Sequence, residues 1–278
     1  MGNCNCSSFV PSHSPLTSHF TPHLTPKTSI LNSQFSIFNL ISVPLRTINQ
    51  QDIFDGLSFE QKQNLYETAS EMISDNKRQL FDRLIQYRTR HIAVVLENIY
   101  QSHNASAVLR SCDCFGVQDV HVVEDRNPFN PAGDVAVGSS KWVDYYKHSD
   151  ILAAYRHLHE KGYRIVATLP HENDTMIGDL DLSQPVALVF GTELTGLTQE
   201  AIDGADAYVK IPMYGFTESF NISVCAALSL YSTTERMRRD TSIHWQMNDE
   251  EQLTQKLHWC MQAIRNGEEV MKKLIIDK

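Results

Sequence analysis

No apolar run in this chain reaches the eighteen or so residues a membrane helix needs, so a soluble protein is expected. Its six cysteines, Cys4, Cys6, Cys112, Cys114, Cys225 and Cys260, follow no disulfide framework, and reduced thiols are the simplest reading. Cys112 and Cys114 lie near His103 and His121, but no second cysteine pair completes a ligand set. A spacing of two on a helix also turns the thiols apart, so no metal is expected. No strand is followed by Gly-x-Gly-x-x-Gly, which removes the support for a dinucleotide fold. The Gly191-x4-Gly196 spacing resembles a phosphate-binding loop, yet Leu197 stands where that loop needs lysine, which argues against a nucleoside triphosphatase. A net charge of −9 argues against nonspecific nucleic-acid binding over the whole surface and leaves room for a local basic patch.

The first 51 residues hold no Asp or Glu, five prolines and abundant Ser, Thr and His, a composition that cannot build a core. Residues 1–56 are therefore expected to be a disordered tail. Its poverty in acids is that of an organelle transit peptide, but only Lys27 and Arg46 are basic, so a cytoplasmic protein is expected, with organelle targeting as the alternative. From Ser58 the pattern becomes regular. Ser58-Phe-Glu-Gln61 is a capping box that opens one helix, and Asp75 is positioned to cap a second running through Gln86. These form a helical, partly basic extension over 57–90.

Strands and helices then alternate. His91–Glu97, Asp119–Val123, Tyr163–Leu169, Pro185–Phe190 and Ala207–Ile211 are short β-branched apolar runs of the kind found in buried parallel strands. Helical stretches lie between them, near Ala105–Phe115, Asp150–Lys161 and Thr198–Asp203. The expected fold is α/β, a mostly parallel sheet with helices on both faces, over 91–240. Residues 241–278 should add one helix, about Asp249 to Lys272.

Ligands of such sheets bind beyond the carboxyl ends of the strands, and three polar loops converge there. In the first, Asn104 begins a helix and Arg110 follows among Val108, Leu109 and Cys112, where its guanidinium needs an ion-pair partner or an anionic ligand. The second, Phe190-Gly-Thr-Glu193-Leu-Thr-Gly196-Leu197, is a glycine-flanked turn that lets backbone approach a ligand, with Glu193 carrying a carboxylate or acting as a helix-start acid. The third runs from Ile211 through Met213, Gly215, Ser219 and Phe220 to Asn221 at a helix start, with more donors and acceptors than one cap needs.

In order and spacing these three segments resemble the motifs of SpoU-type RNA 2′-O-ribose methyltransferases of the SPOUT superfamily, and within it the TrmH group of tRNA guanosine methyltransferases. The resemblance covers about residues 57–240. It implies S-adenosylmethionine as methyl donor, a homodimer, an RNA substrate and a C-terminal trefoil knot in which Ile211 to Arg239 threads back under earlier loops. It implies a cofactor held by Thr168, Leu169, Gly191, Glu193, Gly196, Ile211, Met213, Gly215 and Phe220. Ser219 and Asn221 would hold the loop and the RNA, and Asn104 would orient Arg110. A guanidinium stays protonated, so Arg110 is read as binding the substrate phosphate and polarising the hydroxyl while Glu193 or a phosphate oxygen takes the proton. Arg236 and Arg238 stand one position later than the arginines of TrmH-like enzymes, about 100° around the helix. They are named as RNA contacts together with Arg88 and Arg90. The expected activity is methylation of a tRNA guanosine; the alternatives are the same chemistry on ribosomal RNA, or a catalytically silent RNA-binding module.

Overall fold

The structure, a computed structural model, describes residues 52–125, 138–169, 175–192 and 194–276. Seven parallel strands form one sheet: β1 (Thr89–Glu97), β2 (Val117–Val123), β3 (Asp144–His148), β4 (Arg164–Thr168), β5 (Thr175–Met176), β6 (Val186–Phe190) and β7 (Ala207–Lys210). Their spatial order is β3-β2-β1-β6-β4-β7-β5. Because β1 is central and covered on both faces, every residue of it except Arg90 is buried, which is why it reads as a continuous apolar run.

Side chains alternate across the sheet and divide the core in two. Ile92, Val94 and Leu96 pack with α3 (Ser102–Phe115) and α6 (Ile222–Arg239). Ala93 and Val95 pack on the other face with α4 (Ile151–Glu160) and α5 (Gln199–Asp203). A third cluster, built on Phe54, Leu65, Phe81, Leu257, Trp259 and Met271, joins α1 (Phe59–Ser70) and α2 (Asp75–Leu84) to α7 (Asp249–Ala263) and α8 (Gly267–Ile276).

Several local expectations are met and others corrected. The capping box forms, with Ser58 accepting from Gln61 N and Gln61 closing back on Ser58 N. The second helix is capped one residue earlier than expected, by Ser74 rather than Asp75, and ends at Leu84. Asp75 instead pairs with Arg78 at 2.9 Å. The single C-terminal helix expected over 249–272 is two helices. The chain reverses at Asn266, whose φ is 54°, and a Cβ on Gly267 would collide with the Met261 carbonyl.

Strands β3 and β5 carry no alternating apolar signal and were not expected. In β3, Asp144 is buried because Arg90 pairs with it at 2.8 Å and also with Asp119. A charge that finds its partner only in the folded chain erases the strand pattern.

Candidate active site

The carboxyl ends of β4, β6 and β7 open into a cavity of about 440 Å³. Phe190 and Val209, both almost fully buried, line it with Thr168 and Leu169, and Thr168 Oγ1 donates to Val189 O at 2.7 Å. One wall is the loop after β6. Thr192 and Gly196 exchange backbone hydrogen bonds of 3.0 Å, and Gly196 takes φ 68°. A Cβ on Gly191 would run into the Gly196 carbonyl and the Leu197 nitrogen, so Gly191 is required for the loop to close on itself. The opposite wall comes from the segment after β7, where Ile211, Met213, Ser219 and Phe220 line the cavity. Cys225 and Ser229, one turn apart on α6, complete it; burial pushes the Cys225 thiol up to about 11, so it is a neutral lining group.

The first and third motifs meet directly. Asn221 caps α6, its Oδ1 accepting from Ser223 N at 2.9 Å and from Ser223 Oγ at 2.5 Å. Its Nδ2 donates to Asn104 Oδ1 at 3.2 Å, while Asn104 Nδ2 donates to Gln101 Oε1 at 3.0 Å. Asn104 sits in the first turn of α3, two residues inside the helix start, and is buried. The cap of one helix is thereby tied to the opening turn of another.

A sequence profile described as the SpoU rRNA Methylase family matches residues 91–231, about half of the chain. A curated relative from Borreliella burgdorferi, named tRNA (guanosine(18)-2'-O)-methyltransferase, is 40% identical over 197 residues, covering 71% of this chain and 90% of the relative. The chain belongs to the SpoU methylase family. A Thermus thermophilus protein of the same name is 33% identical over 66% of this chain and 94% of its own length. Among solved structures, the A. aeolicus TrmH/SpoU tRNA modifying enzyme shares the fold with a TM-score of 0.59 at 24% identity, covering 73% of this chain and 96% of that one.

Of the cofactor residues that the SpoU resemblance implies, Thr168, Leu169, Gly191, Gly196, Ile211, Met213 and Phe220 line the cavity. Gly215 does not; it sits at the tip of the third loop, where an added Cβ would meet only Thr217 N at 4.0 Å. Glu193 lies outside the described residues. Arg110 is exposed on α3 and makes no ion pair among the described residues, which leaves the anionic ligand of the two expected alternatives.

The four arginines named for RNA each have an internal partner. Arg88, only 4% exposed, pairs with Asp113 and lies 5.4 Å from the Trp259 ring centroid. Arg90 is held by Asp119, Asp144 and Gln255. Arg236 donates to the carbonyls of Ile177, at 2.9 Å, and Leu180. Arg238 donates to Tyr87 O at 3.0 Å and Phe115 O at 2.7 Å, with its guanidinium 5.2 Å from the Trp245 ring.

Sequence reading also missed Glu97. This buried carboxylate at the end of β1 accepts from Thr198 N at 2.9 Å and Thr198 Oγ1 at 2.6 Å, pinning the loop after β6 to the central strand. An acid closing an apolar strand run is its one sequence signal. The cavity wall is therefore anchored from outside the cavity.

Proposed function

We propose that this protein is an S-adenosylmethionine-dependent RNA methyltransferase that methylates the ribose 2′-hydroxyl of a tRNA guanosine, at position 18 in the D-loop. The observation that carries the reading is the bond between Asn104 and Asn221, which joins two of the three motifs beside a cavity bounded by the other. The names of relatives aligned over most of their length support the substrate.

The cavity fits the donor. Apolar side chains of Leu169, Leu197, Ile211 and Phe220 share it with the backbone of two glycines, the mixture that an aromatic base and a polar amino-acid tail require. Thr168, Leu169, Gly191, Gly196, Ile211, Met213 and Phe220 would hold the donor, with Glu193 assigned to the same task; Gly215, at the loop tip outside the cavity, is not. When bound, it supplies a methyl carbon made electrophilic by the attached sulfonium.

The chain's own task is to place a ribose hydroxyl and manage its proton. Arg110, exposed and without an ion pair among the described residues, offers its planar fork of donors to the neighbouring phosphate and draws charge from the hydroxyl. Asn104 and Asn221 brace the segment that carries Ser219 against α3, and Ser219 holds the RNA at the cavity wall. Glu193 or a phosphate oxygen accepts the proton. Arg236, Arg238 and Arg90, all partly exposed, are left to touch the RNA backbone with whatever donors their internal partners leave free.

The reading includes the knot, with Ile211 to Arg239 passing beneath earlier loops, and a homodimer. Val224, Leu228 and Tyr231, spaced four and three apart on α6 and all exposed, supply an apolar stripe for a second copy. It also includes the division into a methyltransferase domain (91–240) and flanking helical segments (57–90 and 241–278); the tail expected over 1–56 ends earlier, because Phe54 is buried in the third core cluster. The third core cluster supports packing of the two flanks as one layer. No helix among the described residues is long and apolar enough to cross a membrane. The reading carries a cytoplasmic location, which fractionation tests.

The deciding experiment supplies full-length protein with labelled donor and total cellular RNA and maps the modified nucleotide. Label at a D-loop 2′-O-methylguanosine is expected. Label confined to ribosomal RNA would move the substrate assignment, and no transfer despite measured donor binding would refute the enzyme reading.

A further inference from the structure

Between Met213 and Glu218, which both line the cavity, the chain makes a four-residue tip that does not. That tip carries two aromatic rings, Tyr214 at 96% exposure and Phe216 at 109%. Half of the large exposed apolar residues among the described ones lie on α-helix surfaces, where partial exposure is normal. These two are instead held clear of all packing by a loop whose ends are both anchored, at β7 and at the Asn221 cap.

Accepting the reading of the cavity given above, on which this step rests, we infer that Tyr214 and Phe216 form a stacking platform for the base of the nucleotide to be methylated. A ribose hydroxyl inside folded RNA reaches a walled cavity only if its nucleotide leaves the stack, at a cost of a few kcal/mol. Aromatic faces at the cavity rim return that stacking energy with little dependence on base identity. The Tyr214 hydroxyl adds a donor and acceptor at the ring edge for a polar base edge. An unstacked purine is thus the occupant, and the platform determines how firmly RNA is held, not how the donor is held.

The test compares full-length wild type with Tyr214→Ala, Phe216→Ala and the double variant, using unfractionated tRNA and labelled S-adenosylmethionine. The double variant should raise the KM for tRNA, and the tRNA Kd measured by filter binding, by about tenfold or more, as expected from loss of one to two stacking contacts. Donor affinity by calorimetry and the sedimentation coefficient should stay at wild-type values. Phe216→Trp should retain tRNA affinity while Phe216→Leu, apolar but without a ring, should not. Unchanged tRNA binding in the double variant overturns the platform, as does equal retention by Leu and Trp. A fall in sedimentation coefficient would instead give the rings to a second copy of the chain, and a loss of donor affinity would give them to the cofactor. Filter binding reads the platform even if wild type transfers no methyl group, so failure of the enzyme reading and failure of this one are separable.

Discussion

Acidification should loosen the β3 edge of the sheet, because three histidines are kept neutral there. His121 on β2, His148 at the end of β3 and His157 on α4 have ring centroids 5.2 to 5.6 Å apart, and Tyr146 stacks on His121 at 4.6 Å. His121 Nδ1 and His148 Nε2 are 3.0 Å apart, a bond that needs a proton on one nitrogen and a lone pair on the other. Burial, followed by the neighbouring His148, His157, Lys161 and Arg90, holds His121 well below the usual histidine range. Burial, then His157, brings His148 to about 4, with Asp150 opposing. Burial and then Lys161 lower His157, against Glu160 and Asp119. Each folded-state value lies below the unfolded one, so the unfolded chain gains protons first. Stability is complete above about pH 6.5 and declines as the pH falls toward 4. At pH 5 the His148 difference alone corresponds to about 2 kcal/mol, reduced to about 1 kcal/mol because the ring is partly solvated. Urea unfolding at pH 7.5 and pH 5 gives the measurement. His148→Gln cannot titrate and should narrow the gap between the two pH values by about 1 kcal/mol. An identical gap in wild type and variant would refute the account.

Arg110→Ala should abolish most methyl transfer with donor affinity intact, while Arg110→Lys should keep partial activity, since a phosphate anchor needs charge above all. Rates at saturating tRNA decide this, and a lysine variant as inactive as alanine would show that electrostatic help alone is insufficient. Gly191→Ala should force the loop after β6 open, because its Cβ collides with the Gly196 carbonyl; calorimetry should find donor affinity down at least about tenfold while melting changes little. Arg88→Ala should act on the fold, leaving Asp113 without its buried partner and costing about 3 kcal/mol in urea unfolding. The slope of tRNA affinity against salt should be unchanged in that variant, and a shallower slope would return Arg88 to the RNA contacts.

The residues legible in advance were those whose chemistry is local. Capping by Ser58 needs only Gln61 three positions on, and central strands such as β1 and β6 announce themselves because covered faces demand apolar side chains throughout. Parallel strands bring their carboxyl ends to one edge, and the loops after β6 and β7 border the cavity there, whereas the loop after β1 does not line it and is tied to it through the bond between Asn104 and Asn221. Partnership across the chain was not legible. Arg88, Arg90, Arg236 and Arg238 look alike in sequence as basic residues on helices or strand starts, and only packing gave them Asp113, Asp119 and Asp144, and buried carbonyls. Arg110, with the most apolar neighbours, emerged exposed because a helix turns successive residues to different faces.

Sequence by itself determined the α/β alternation and the chemical content of three loops, because periodicity and turn chemistry are properties of neighbouring residues. Tertiary structure alone decided that Asn221, legible as a cap, would also grip Asn104 on another helix, and that Glu97 would hold Thr198 in the loop after β6. Those bonds join residues about a hundred positions apart, a distance over which no local pattern carries information.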